Sequence, residues 1–236
     1  MQTKYIFFDM DGTLLPMDAA TFAKVYFKVL TKKMLPHGYA PEELINGINA
    51  GISAMQYNDG TRRNQEIFWE EFVKVTGERV LADRPLFEEF YAVDFQRISS
   101  SCGYTPEAKR TIELCKELGF HVVVATEPIF PLTAMESRLR WAGIEPSEVD
   151  FITSYETSGY CKPDLGFYQE LLDRFHITAN ECVMVGNDVG EDMPAGELGM
   201  KTFLLTDCLI NKENADINQW EHGGYGKLQA WIRALN

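Results

Sequence analysis

The sequence predicts an α/β protein, an open parallel sheet whose first strand is followed at once by an all-helical insertion. Three observations carry this expectation. Short apolar runs of strand length recur at residues 5–8, 120–125, 149–152, 182–185 and 202–205. From Thr105 onward the intervals between these runs have helical spacing, so strands and helices alternate as in right-handed βαβ units. Between Pro16 and Ile98, by contrast, the apolar residues keep only a helical rhythm.

The first run, Tyr5-Ile6-Phe7-Phe8, ends in Asp9, and Asp11, Gly12 and Thr13 follow. Residues two apart share a face of an unbroken strand, and Gly12 marks a bend where the backbone can fold over a ligand. Two carboxylates held that close raise a pKa unless a cation joins them. That leaves two chemistries: a divalent cation on oxygen ligands, or a nucleophile beside an acid/base partner. An EF-hand loop is excluded, because Gly12 comes too early and a strand precedes it.

The insertion reads as a series of amphipathic helices. Phe22, Val25, Tyr26, Val29 and Leu30 make one face, and Pro36 and Pro41 interrupt. Leu44, Ile45, Ile48 and Ile52 make a second face, and Tyr57 to Gly60 a turn. Phe68, Phe72 and Val75, then Leu86, Phe87, Phe90 and Tyr91, resume the spacing, and Ser99 to Gly103 reads as a hinge.

Thr105 caps the next helix with Pro106 in its first turn, and Gly119 stops it. The run Phe120 to Ala125 is apolar throughout, as a parallel strand buried on both faces must be, and Thr126 closes it before Glu127. Helices are expected at residues 132–141, from Pro163 with Tyr168, Leu171, Leu172 and Phe175 inward, at 191–198, and at 225–235. Residues 207–224 read as a polar loop. Asp9, Thr126 and Asp188 thus fall at or just past the carboxyl ends of strands, where open α/β sheets bind ligands. Lys162-Pro163 sits at a helix start, and Asp188 and Asp192 have the spacing of one helical turn.

The segment Tyr5 to Thr13 resembles motif I of the haloacid dehalogenase superfamily, hhhhDxDGT. Thr126, Lys162-Pro163 and the Asp188-x-x-x-Asp192 stretch follow in the order of that superfamily's motifs II, III and IV. The resemblance covers residues 1 to about 15 and about 100 to 210, with the insertion where the superfamily carries a helical cap. It implies a Rossmann-like α/β core made of residues 1–15 and 100–236, and a cap domain of residues 16–99. It also implies a Mg²⁺-dependent phosphohydrolase acting on a small phosphorylated metabolite through an aspartyl-phosphate.

In that scheme Asp9 is the nucleophile and Asp11 the acid/base. Thr126 and Lys162 hold the phosphate. Asp9, the Asp11 backbone carbonyl and Asp188 hold the metal, with Asp192 in support. Glu127 departs from the pattern, which often has Asn there. A phosphomutase of the β-phosphoglucomutase type and a non-catalytic phospholigand sensor are the competing readings; a haloalkanoate dehalogenase has no use for Asp11 as an acid.

Composition narrows the partners. A formal net charge of -13 argues against nucleic-acid backbone or an anionic membrane, so an anionic substrate needs a local cation. No apolar run reaches membrane-span length, and the first residues lack a signal-peptide pattern. Five cysteines, odd in number and without CxxC spacing, argue against a disulfide frame or zinc site, and a reducing cytoplasm is expected. Tyr57, Arg62 and Arg63, polar and near a turn of the insertion, read equally as selectors of the substrate or as a solvated face.

Overall fold

The computed structural model describes residues 3–235. The strands β1 (Tyr5–Phe8), β2 (His121–Val124), β3 (Phe151–Ile152), β4 (Cys182–Gly186), β5 (Lys201–Leu205) and β6 (Glu221–Gly223) form one sheet in the order β3-β2-β1-β4-β5-β6. Every neighbouring pair is parallel. Chain order reverses at β1 and β4, so the switch point lies between the strands that end in Asp9 and in the Asn187-Asp188 turn.

Strand alternation divides the core. Ile6, Phe8, Val122, Val124, Val183 and Val185 face α6 (Pro106–Glu117), α7 (Leu132–Trp141) and α9 (Tyr225–Arg233). Phe7, Val123 and Met184 face α8 (Leu165–Phe175) and the segment around Ala195. Burial on both faces explains why these strands read as unbroken apolar runs.

Between β1 and α6 run α1 (Ala19–Met34), α2 (Pro41–Gln56), α3 (Asn64–Thr76), α4 (Arg79–Ala82), α5 (Arg84–Ala92) and a 3₁₀ stretch, Asp94–Ser101. They share a core of their own, built on Phe22, Tyr26, Leu44, Phe72, Phe90 and Phe95. The chain enters and leaves this unit side by side: Met17 bridges Cys102, and Gly103 N–H donates to the Pro16 carbonyl at 2.7 Å. The expected hinge at 99–103 is therefore mostly the end of a 3₁₀ helix, with the two-stranded contact beside it.

Other expectations are corrected in detail. The α8 helix starts at Leu165 rather than Pro163, because the Asp164 carboxylate accepts the Gly166 N–H at 2.7 Å and caps it there. The stretch after Asp192 is 3₁₀, Met193–Leu198. The polar loop 207–224 contains β6, an edge strand of three residues, too short and polar to show an apolar pattern. No helix among the described residues is long and apolar enough to cross a membrane.

Candidate active site

The ends of three adjacent strands are level. Asp9 N–H donates to the Val185 carbonyl at 2.9 Å, and Ala125 N–H to the Phe8 carbonyl at 2.7 Å. Asp9, Thr126 and Gly186 therefore leave β1, β2 and β4 side by side. Thr126 is buried, and Thr153 fixes its backbone by accepting its N–H at 2.9 Å and donating to its carbonyl at 2.6 Å.

After Asp9 the chain turns sharply. Thr13 and Leu15 N–H both donate to the Met10 carbonyl, and Gly12 takes φ of +83°. A side chain at Gly12 would meet the Asn187 carboxamide at 2.4 Å. That carboxamide is itself anchored, accepting from the Thr13 hydroxyl at 2.8 Å and donating to the Cys208 carbonyl at 2.8 Å. The turns after β1 and β4 are thus packed directly together.

Lys162 is the centre of charge. Its side chain is buried, and Nζ donates to Asp9 Oδ1 at 2.9 Å and Asp192 Oδ1 at 2.7 Å. Burial disfavours the ammonium, but Asp192 and then Asp9 outweigh it, and its pKa stands well above the ordinary lysine value. Burial likewise pushes the Asp192 carboxyl up, against the pull of Lys162. Asp192 Oδ2 also accepts the Asp188 N–H at 2.9 Å, so the fully buried Asp192 braces the Asp188 backbone. Asp188 Oδ1 accepts from Gly190 N–H at 2.7 Å and Glu191 N–H at 3.1 Å, and its Oδ2 lies 4.0 Å from the exposed Lys212.

Asp11 does not share the Lys162 cluster through its side chain. Its carboxylate is 34% exposed and pairs with Arg138 of α7, a residue buried between Phe22 and Phe130. Burial pushes the Arg138 guanidinium down to about 10, while the Asp9 charge draws it up. Arg138 escaped the sequence reading. The signal for it is that, at i+3 from Met135 and i+4 from Ala134, it falls on the inward face of the helix.

Glu127 points to the backbone of the Lys162 turn. Its Oε2 accepts the Lys162 N–H at 2.9 Å, tying the end of β2 to the Lys162 turn. Burial pushes its carboxyl up to about 7 despite that hydrogen bond. Cys161 beside it is buried, and its thiol is pushed up by burial, so it stays a thiol. All five cysteines are free.

The insertion closes over this end of the sheet. Asn64, fully buried at the start of α3, donates to the Pro128 and Tyr160 carbonyls at 3.3 Å each and accepts from Asn58 at 2.8 Å. Of the residues singled out earlier, Arg62 pairs with Glu70, Arg63 with Glu170, and Tyr57 is exposed. A cavity of about 410 Å³ lies farther out, between Tyr26, Trp69 and Arg84 of the insertion and Ile129, Phe130 and Tyr155 of the sheet unit. Asp9, Asp11, Thr126 and Lys162 are not among its walls.

Among the described residues no three His, Cys, Asp or Glu side chains are grouped as a metal centre. The ligand set implied by the motifs uses only two side chains, Asp9 and Asp188, with one main-chain carbonyl. Its donors are hard oxygens, the set that suits Mg²⁺.

The family model described as "haloacid dehalogenase-like hydrolase" matches residues 3–199. A glyceraldehyde 3-phosphate phosphatase of Methanocaldococcus jannaschii is 30% identical over 206 residues, 86% of this chain and 84% of its own. A ribulose-1,5-bisphosphate 5-phosphatase of Halopiger xanaduensis is 23% identical, over 85% of this chain and 83% of its own. Among solved structures, a 2-haloacid dehalogenase of Pseudomonas syringae shares the fold with a TM-score of 0.64 at 19% identity, covering 98% of both chains. A phosphatase of Thermococcus onnurineus does so with a TM-score of 0.59 at 17% identity, again over 98% of both.

Proposed function

Given that the chain belongs to the haloacid dehalogenase-like hydrolase family and is a phosphatase, we propose that it hydrolyses a small-molecule phosphate monoester through an aspartyl-phosphate on Asp9, with Mg²⁺ as cofactor. One observation carries the reading. Asp9 ends β1 at the switch point with Lys162 at 2.9 Å, a buried cation beside the nucleophile where a phosphoryl group needs one.

An Asp9 carboxylate oxygen bonds to phosphorus as the ester P–O bond breaks. The electron pair stays on the leaving oxygen, which takes a proton from Asp11. Water then attacks phosphorus and gives a proton back to Asp11, and the bond to Asp9 breaks, releasing phosphate and the free carboxylate. Thr126 and Lys162 bind the transferring oxygens. Asp192 holds Lys162 in place, and Glu127 holds its backbone. The Asp9 and Asp188 carboxylates and the Asp11 main-chain carbonyl would hold Mg²⁺. When bound, Mg²⁺ offsets the phosphoryl charge among these carboxylates.

In this reading residues 1–15 and 100–236 are the catalytic core, and residues 16–99 are the cap that excludes water and meets the leaving group. Relatives named for glyceraldehyde 3-phosphate, ribulose-1,5-bisphosphate and phosphoglycolate support small phosphorylated metabolites as the substrate class. The test is phosphate release from an aryl phosphate. Mg²⁺ should support it, excess chelator silence it, and Ca²⁺, which can draw in both oxygens of a carboxylate, support it poorly. Asp9→Asn should be folded and inactive. Full activity in chelator, or a near wild-type rate in that variant, refutes the reading.

A further inference from the structure

We propose that Arg138 is the positioning residue for Asp11: it fixes that carboxylate on the side of the site facing the helical insertion, and links its orientation to the insertion through Phe22. The inference rests on the reading of Asp11 as the acid/base.

Arg138 is an expensive residue for its place. Its side chain is 1% exposed, and a guanidinium keeps its charge even there. Apart from Asp11, its terminal nitrogens reach only the sulfurs of Met135 at 3.5 Å and Met17 at 3.8 Å. Its Nε is the one buried side-chain polar atom among the described residues without a partner. Its Cζ lies 5.1 Å from the centroid of the Phe22 ring of α1 and 5.3 Å from that of Phe130. An unbranched apolar side chain would pack among two methionines and two phenylalanines without desolvating a charge. What only Arg138 supplies is the bond to Asp11.

That bond sorts two neighbouring carboxylates. Asp9 is turned to Lys162 and Asp192, whereas Asp11 is turned to a cation wedged against the insertion. In an in-line displacement the leaving oxygen departs opposite the nucleophile. A proton donor is therefore useful only on the side away from Asp9, the side to which Arg138 draws Asp11. Because Phe22 forms one wall of the guanidinium site, a shift of the insertion moves the anchor of the acid/base.

The test compares wild type, Arg138→Met, Arg138→Lys, Phe22→Leu, Asp11→Asn and the Asp11→Asn/Arg138→Met double variant. Each is assayed for kcat and KM on an alkyl phosphate and on an aryl phosphate with a good leaving group, alongside thermal denaturation. Arg138→Met should melt at or above the wild-type temperature, yet lose kcat on the alkyl ester by about 100-fold, the scale of acid/base assistance, with a much smaller loss on the aryl ester and KM little changed.

Arg138→Lys should recover part of the alkyl rate, and Phe22→Leu should show the same selectivity at smaller size. Adding Arg138→Met to Asp11→Asn should cost nothing further. Equal losses on the two esters, or additive losses in the double variant, overturn the inference. So does failure of Arg138→Met to fold, which would make the charge a packing requirement. If Asp11→Asn itself shows no leaving-group selectivity, it is the acid/base reading that falls.

Discussion

Replacing Glu127 by Gln tests how the turn that carries Thr126 is tied to the turn that carries Lys162. The Glu127 carboxyl accepts the Lys162 N–H at 2.9 Å, and an amide oxygen can accept the same bond. The difference between the two side chains is titration. Burial, the largest cause, raises the Glu127 pKa from an ordinary 4.5 to about 7, the Lys162 N–H lowers it, and Glu191 adds to the rise. Between those values the folded state binds more protons than the unfolded one. Its contribution to stability is therefore full below the unfolded pKa and is lost as pH rises through about 7. The rise corresponds to about 3 kcal/mol at most.

Urea denaturation of wild type and Glu127→Gln between about pH 4 and about pH 8 measures it. The two should have equal stability at the acid end, with the variant more stable by up to about 3 kcal/mol at the alkaline end. Turnover should stay within a few-fold, because the backbone bond survives. Parallel stability profiles would refute the assignment of this charge, and a collapse of turnover would make Glu127 part of the chemistry rather than a brace.

Three further substitutions probe the packing of the site. Lys162→Met leaves Asp9 and Asp192 buried without their cation, so we expect a loss of about 3–5 kcal/mol in denaturant melts, together with loss of turnover. Adding Asp192→Leu should restore part of the stability and none of the rate. Gly12→Ala forces a side chain into the left-handed region at φ +83° and against an Asn187 carboxamide held by two hydrogen bonds. It should cost about 2–4 kcal/mol and most of the activity, and a variant with wild-type melting would contradict the close turn-to-turn packing.

Much of this architecture was legible because burial writes itself into sequence. Strands β1, β2, β4 and β5 are covered on both faces and so appear as apolar runs, and the insertion shows helical spacing because it has its own core. The edge strand Glu221–Gly223 has one neighbour and no buried residue, so nothing marked it.

The same logic divides the site. Asp9, Thr126 and Asp188 follow strands and Lys162 lies in the turn before α8, places that motif spacing could point to. Arg138 within α7 and Asn64 at the start of α3 reach partners 64 to 127 residues away in the chain, and only the folded structure shows them. Asp11 was legible as a carboxylate, but its counter-ion was not: helical spacing turns Arg138 inward and leaves Arg140 exposed, without telling which carboxylate Arg138 meets.

The central claim, that Asp9 carries the phosphoryl group, is tested most directly by acid-quenching the enzyme during turnover of an aryl phosphate and mapping phosphate by peptide mass spectrometry. A phosphorylated peptide is expected with the modification on Asp9, more abundant in Asp11→Asn, where the base for the second step is missing, and absent in Asp9→Asn. Turnover with no phosphorylated peptide in either the wild type or Asp11→Asn, or with phosphate on another residue, would contradict it.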